Sequence, residues 1–405
     1  MKIRRKLATW LLLLSPILQI YGWGQFDFAF LSTTFLGIYC LIRGEIKFKS
    51  LPRFLLAYFI YWMFVHVVSA TSIIGAIPLG AMRCLITFTL FFSIIDLSYL
   101  IQVYKKIVLA CVLFFYLQFL FGVLLDYHLI GIFPYLPIAF TDDILLYSER
   151  FLTMNRPSSF FSEPAHFAQY IIPYLGIMLF DQYVSNRKKI KKVSYIVLTL
   201  LLLQSGNALL GLAVLFLGYT ISTILENKKR LVLFPLIILG ASVLVNFYSD
   251  TAIGEKMLAR QVQISSKSYQ DLGYSTSGYE RIYRGYFVYS EYPLMQKVIG
   301  NDNPDYKIAA SRTSEVAATF KENDLYFNTI QSFLLNTGLL GLLLMVSVLL
   351  GIWKKTNACG KSILSVFIAF STMSAMYFSA TMCLYLIIPF FLNKNIRHET
   401  ILHIH

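Results

Sequence analysis

Apolar runs of roughly 17–25 residues, long enough to cross the hydrocarbon core of a bilayer, recur along the whole of this chain. They fall at 7–22, 26–42, 54–71, 77–95, 107–125, 164–184, 193–205, 207–225, 231–248, 328–352, 362–378 and 380–392. Hydrocarbon offers no partner to a bare backbone amide, so runs of this kind fold as helices. The expected fold is all-α and polytopic: one integral membrane domain over 1–405 with about twelve transmembrane helices. Ser205-Gly206-Asn207 supplies turn chemistry between two adjacent runs. The break between 362–378 and 380–392 is short, so eleven spans also fit.

Composition excludes a soluble alternative. Hydrophobic residues are 57% of the chain and charged residues 14%, against about 45–50% and about 25% in soluble domains. The net charge of +14 would suggest an anionic partner in a soluble protein. Here the cations sort by loop. Lys2, Arg4, Arg5 and Lys6, then Arg43, Lys47, Lys49 and Arg53, then Lys105 and Lys106, the run 186–192, Lys228, Lys229 and Arg230, Lys354, Lys355 and Lys361, and Lys394 with Arg397 all fall on one side of a twelve-span topology. The positive-inside rule makes that side cytoplasmic and puts both termini there. It carries +18 and the opposite side −4, so the basic excess is a topology signal and gives no support to nucleic acid binding. The N-terminus resembles a secretory signal but lacks an A-x-A-type cleavage site, and reads as a retained anchor.

Two loops on the other side are long, 126–163 and 249–327, and long loops inside compact proteins are usually functional or disordered. The larger holds Tyr269, Tyr274, Tyr279, Tyr283, Tyr286, Tyr289, Tyr292, Tyr306 and Tyr326, the composition of a folded, ligand-facing element. The apolar stretch 128–140 in the smaller reads as interfacial or re-entrant. Cys40, Cys84, Cys111 and Cys383 fall in spans and Cys359 in a cytoplasmic loop, so no disulfide ties the long loops. Metal, Walker and dinucleotide motifs are lacking in the sequence, and His398, His403 and His405 read as a flexible tail. No cofactor or metal is expected.

Chemistry concentrates in a few places. Arg156-Pro157-Ser158-Ser159-Phe160-Phe161-Ser162-Glu163-Pro164-Ala165-His166 closes the first long loop and enters a helix. Glu163 before Pro164 suits a helix start, where a carboxylate is favoured. The plain reading is a capped helix with Arg156 as a nearby counter-charge. The functional one is a carboxylate that accepts a proton and a guanidinium that binds phosphate through its fork. In Tyr279-Glu280-Arg281-Ile282-Tyr283-Arg284-Gly285-Tyr286 the two arginines share a helix face, interleaved with tyrosines. That pattern is either a solvated packed helix or an anion clamp with aromatic platforms for sugars. The 249–327 loop sums to −1, which lacks the basic footprint of a nucleic acid binder. Arg83 lies inside a span, ~12 Å deep at 1.5 Å per residue. Such an arginine is a functional-site hypothesis, with a structural pair to Asp96 or another acid as its rival.

Arg156-x-x-Ser159-x-Phe161-x-Glu163-Pro164, together with Arg281 and Arg284, Tyr292-Pro293, Gly300 and the stretch Asn328 to Gly338-Leu-Leu-Gly341, resembles the Wzy-type O-antigen and capsular polysaccharide polymerases of the O-antigen polymerase/ligase superfamily. The resemblance implies a GT-C-like membrane glycosyltransferase in the bacterial cytoplasmic (inner) membrane. Its donor would be an undecaprenyl-diphosphate-linked oligosaccharide, its setting the lipid bilayer, and its partners a chain-length regulator and a flippase. Under that reading Arg156, Arg281 and Arg284 bind the leaving diphosphate, and Glu163 is base or arginine-orienting carboxylate. Arg83, Ser159, His166, Tyr279, Tyr283, Tyr286, Tyr326 and Asn328 would contact the substrate. Related ligases carry a His-Asn pair upstream of the Gly-x-x-Gly stretch. Here Tyr326-Phe327 stands near that place and 249–327 holds no histidine, which favours polymerase over ligase. A lipid-linked oligosaccharide flippase or other transporter is the rival of another class.

Overall fold

The computed structural model describes residues 2–46, 51–69, 76–133, 135–139, 152, 156–181, 186–226, 277–314, 317 and 326–392. The expected span 231–248, the cluster Lys228–Arg230, Tyr269, Tyr274 and the tail histidines lie outside them, and so does the side chain of Tyr279. The described chain is mostly helical. Helices α1 (Lys2–Leu18), α2 (Phe28–Ile42), α3 (Arg53–Val68), α4 (Ala76–Ile94) and α5 (Leu97–Leu125) precede the first long loop. Helices α6 (Pro164–Phe180), α7 (Asn186–Leu202) and α8 (Gly206–Glu226) follow it. The second long loop contributes α9 (Ser277–Ser290), α10 (Leu294–Ile299) and α11 (Pro304–Thr313), before α12 (Thr329–Lys355), α13 (Ala358–Ser371) and α14 (Ala380–Phe391).

Ile77–Ile94, Leu97–Leu125, Gly206–Leu225 and Thr329–Lys355 are each long and apolar enough to cross a membrane, and α2, α3, α13 and α14 are shorter apolar helices. The chain is thus an α-helical membrane protein. Its apolar surface is divided accordingly. Phe88, Phe115, Phe167, Phe367, Phe370 and Tyr385 are packed in the bundle core, while Phe35, Ile60, Val67, Leu113, Leu124 and Leu225 stay exposed, as lipid-facing residues would.

Helix limits follow from local chemistry. Asp27 accepts from the Phe30 N–H, Asp96 from Ser98, Asn357 from Gly360 and Ser379 from Met382, each at a helix start. Because Asp96 caps α5, that helix begins ten residues before the expected 107, and Lys105 and Lys106 stand on it instead of preceding it. The doubtful break near 379 is real: residues 372–379 separate α13 from α14. The turn 203–205 likewise separates α7 from α8, with Gln204 in the left-handed region at φ 48°.

The stretch 128–140 forms no helix among its described residues. It lies along the end of α1, where the Gly22 N–H donates to Pro137 O (2.8 Å), Ala139 to Ile20 O (2.9 Å) and Phe133 to the Tyr21 hydroxyl (3.1 Å). Between α1 and α2 a two-residue antiparallel pair, Gly22–Trp23 with Phe26–Asp27, makes the turn.

α12 is broken near its start. Gly338 has φ 62° and ψ −169°, and Gly300, with φ 94°, lies against it. A Cβ on Gly300 would come within 2.4 Å of the Gly338 nitrogen, and one on Gly338 within 2.4 Å of Val298 O. The two backbones touch because neither residue carries a side chain. The contact lets the Asn301 N–H reach Leu335 O at 2.8 Å, fixing the second long loop on the helix. Gly300→Ala or Gly338→Ala should each cost about 1–3 kcal/mol, read as a lowered unfolding midpoint of the purified protein. Gly351→Ala, with open space around its Cβ, should instead stabilise by about 0.5–1 kcal/mol.

Candidate functional site: a hydrogen-bonded rim at the loop end

The start of α12 organises one end of the bundle. Asn328 is its N-cap and forms a capping box with Gln331: Gln331 N–H donates to Asn328 Oδ1 (2.9 Å), and Asn328 N–H to Gln331 Oε1 (3.1 Å). The amide nitrogens left over reach outward. Asn328 Nδ2 donates to Arg281 O and Thr372 O, both at 2.9 Å, and Gln331 Nε2 donates to Ile282 O at 2.7 Å. Two capping side chains therefore hold the backbone of α9 at the point where its arginines emerge. Gly285 permits the approach, since a Cβ there would meet the Gln331 side chain at 2.6 Å.

The arginines, three residues apart, occupy different surroundings. Arg281 is exposed and lies over the Tyr326 ring, 5.0 Å from its centroid. Stacking of this kind orients a guanidinium while leaving its N–H edge available. Arg284 is 1% exposed, the largest fully buried side chain described. The two arginines lie on one helix, as the spacing implies, but only Arg281 is exposed. Tyr326 is itself fixed, its hydroxyl donating to Met373 O and accepting from the Ala375 N–H. Tyr283 and Tyr286 are exposed on α9.

Arg156 reaches the same end from the first long loop. It is 7% exposed, and Nη2 donates to the carbonyl of left-handed Gln204 at 3.0 Å. Three residues on, Asn207 Nδ2 donates to Ser374 Oγ (2.8 Å). The Ser374 carbonyl accepts from the Thr329 N–H (2.9 Å) and hydroxyl (2.6 Å), beside Asn328. A continuous path of hydrogen-bonded turns thus runs from Arg156 through 204–207 and 372–376 to the α12 cap and Arg281.

Other expected site residues have structural duties. Ser159 is fully buried and left-handed at φ 57°. Its hydroxyl donates to Cys111 O and its N–H to Gln118 Oε1, both at 2.8 Å, which ties the Arg156 loop to α5. Gly131 makes room, since a Cβ there would sit 1.7 Å from Ser159 O. His166 Nδ1 pairs with the Ser162 hydroxyl at 3.0 Å. Glu163 occupies the N-cap of α6 before Pro164, as expected, but its carboxylate makes no capping bond. It is half-buried and thus accessible to a polar ligand.

Arg83 has the pair anticipated as its structural alternative, with a different acid. Nη1 meets Asp27 Oδ2 at 2.7 Å, and Nη2 donates to the carbonyl of left-handed Phe378 at 3.1 Å. Asp96 caps α5 instead. Asp27 also caps α2 through its other oxygen, so one carboxylate joins α2, α4 and the turn before α14. Sequence reasoning missed Asp27, Gln118 and Gln331. Asn328-x-x-Gln331 is a capping-box signature that could have been found, whereas the partners of Asp27 and Gln118 are set by tertiary structure.

The chain matches no protein-family model and no curated protein.

Removing one member of a buried ion pair strands the other charge, at about 3–5 kcal/mol. Arg83→Leu should lower the unfolding midpoint accordingly. Adding Asp27→Asn, which keeps a good N-cap, should recover most of that loss; a double variant as unstable as the single one would show that Arg83 does more than balance Asp27.

Proposed function

We propose that this protein is a membrane glycosyltransferase. It would polymerise polyprenyl-diphosphate-linked oligosaccharide repeat units at the outer face of the bacterial cytoplasmic membrane, within a GT-C-like bundle of about twelve spans. One observation carries the reading: the hydrogen-bonded rim that brings Arg156 and the arginine helix α9 to one end of the bundle.

Outside the cytoplasm no nucleotide sugar is at hand, so the donor has to be a glycan already activated on lipid. Breaking its glycosyl–phosphate bond leaves negative charge on the diphosphate. Preorganised guanidinium groups stabilise such charge as it develops, most strongly where water is excluded. Arg281, oriented by Tyr326, faces the ligand. Arg284 and Arg156, both buried, add fixed positive potential. Glu163 takes the proton of the attacking sugar hydroxyl as the new glycosidic bond forms. Tyr283 and Tyr286 offer flat surfaces to sugar rings, and the lipid tail lies against the exposed apolar helices. The growing chain leaves its lipid for the non-reducing end of the next repeat unit.

Reconstitution with lipid-linked repeat units tests this directly: a ladder of products should form without added nucleotide. Arg281→Lys keeps charge but loses the planar fork and its stacking, and should slow ladder formation about 10²-fold; full activity would remove Arg281 from the diphosphate. Glu163→Gln should abolish the rise of rate with pH that a general base confers, and an unchanged profile would exclude that role. A flippase is the second reading, favoured by the break in α12 at Gly338 because broken helices line transport sites. Translocation of lipid-linked glycan without bond formation would establish it in place of the first. Transfer to a non-repeat acceptor would instead indicate a ligase.

A further inference from the structure

Away from the rim, three ionisable side chains are buried together where the second long loop meets α3. Asp302 is 1% exposed in its side chain, Lys307 5% and His66 10%. His66 Nδ1 lies 2.7 Å from Asp302 Oδ2 with the ring N–H donating, and Lys307 Nζ lies 3.5 Å from Oδ1. The Lys307 amine also donates to the Asp302 carbonyl at 3.3 Å, and the Asp302 N–H donates to Ser69 Oγ at 3.2 Å. Trp62 stacks on His66, ring centroids 5.1 Å apart. Burial pushes the Lys307 amine below its ordinary value, against the pull of Asp302. Groups this costly to desolvate are weak evidence for stability and better evidence for a defined geometry.

What the cluster fixes is visible in its neighbours. Tyr61 of α3 donates to Ile299 O at 2.8 Å, so α3 grips the loop at 299 and at 302. From there the contacts lead to α9. Lys297 Nζ donates to Ser290 O and Tyr289 donates to Lys297 O, both at 2.7 Å. Tyr292 packs edge-on to Tyr306, and Val288 shares a small core with Ala310 and Leu335. α9 therefore sits on a platform that the charged contact between Asp302 and His66 fastens to α3.

We propose that Asp302, held by His66 and Lys307, is a positioning residue for Arg281 and Arg284: it pins 299–307 to α3 and through that segment sets the placement of α9. The function of those arginines rests on the glycosyl-transfer reading, while the placement itself does not.

The test uses the full-length protein in lipid nanodiscs, with hydrogen–deuterium exchange and donor-dependent ladder kinetics as separate readouts. Asp302→Asn strands Lys307, and exchange over 281–290 and 299–313 should rise about tenfold or more while α5 and α6 stay protected. KM for the lipid-linked donor should rise more than kcat falls. Asp302→Asn with Lys307→Met leaves no stranded charge and should move both readouts back together. Exchange that rises over 299–313 alone, or α9 loosened with KM unchanged, overturns the proposal. If Asp302→Asn also exposes α5 and α6, Ser69→Ala carries the same test, with a smaller rise expected over both segments and an unchanged α9 against it. Loosened α9 in a protein whose wild type forms no ladder supports the positioning and rejects the glycosyl-transfer reading.

Discussion

Asn328 makes the interaction on which the loop end depends. A buried asparagine has one acceptor and two donor hydrogens to satisfy, and each is used here: the oxygen caps α12, and the nitrogen holds α9 and the turn after α13. Gln331 repeats the device one turn along. Because the partners of these amides are backbone groups, they fix the path of the chain and leave the Arg281 side chain to meet a ligand, stacked on a Tyr326 ring that Met373 and Ala375 hold in place. The Gly300–Gly338 contact sets how deeply the loop seats on α12, and the amides set where α9 lies.

Charge burial is handled in three ways within one fold. Arg83 and Asp27 are locked together and satisfy helix ends, which makes them scaffold. His66, Asp302 and Lys307 share one carboxylate between two bases. Arg156 lies against a carbonyl held in an unusual left-handed turn. Such conformations cost about 1–3 kcal/mol each and persist where surrounding bonds over-determine them. Ser159 and Gln204 meet that description, and both lie in the turns that carry Arg156.

Much of this was readable from the residues. Twelve-residue or longer apolar helices match apolar runs, and Ser205–Asn207 and Pro164 mark boundaries where they were expected. Gly300 and Gly338, carried by the family resemblance alone, acquire a physical reason in close backbone approach, and Gly341 makes room for the Thr337 side chain. Pairings distant in sequence were not legible: Asp27 with Arg83, Gln118 with Ser159 and His66 with Asp302 are 56, 41 and 236 residues apart, and periodicity carries no signal for them. The spacing of Arg281 and Arg284 gave their helix but not their unequal burial, which follows from how α9 docks on Gln331. At Glu163 the position was legible and the interaction was not, because Pro164 already starts the helix without a carboxylate.

If the α12 cap presents Arg281 to a diphosphate, density for a bound donor will lie there. In a cryo-electron microscopy map of the protein with a polyprenyl-diphosphate oligosaccharide, the phosphates should lie within hydrogen-bonding distance of Arg281, with the first sugar beside Glu163 and the polyprenyl chain against the apolar helices. Phosphate density bound away from Arg281, with the rim between Arg156 and Arg281 empty, would contradict it.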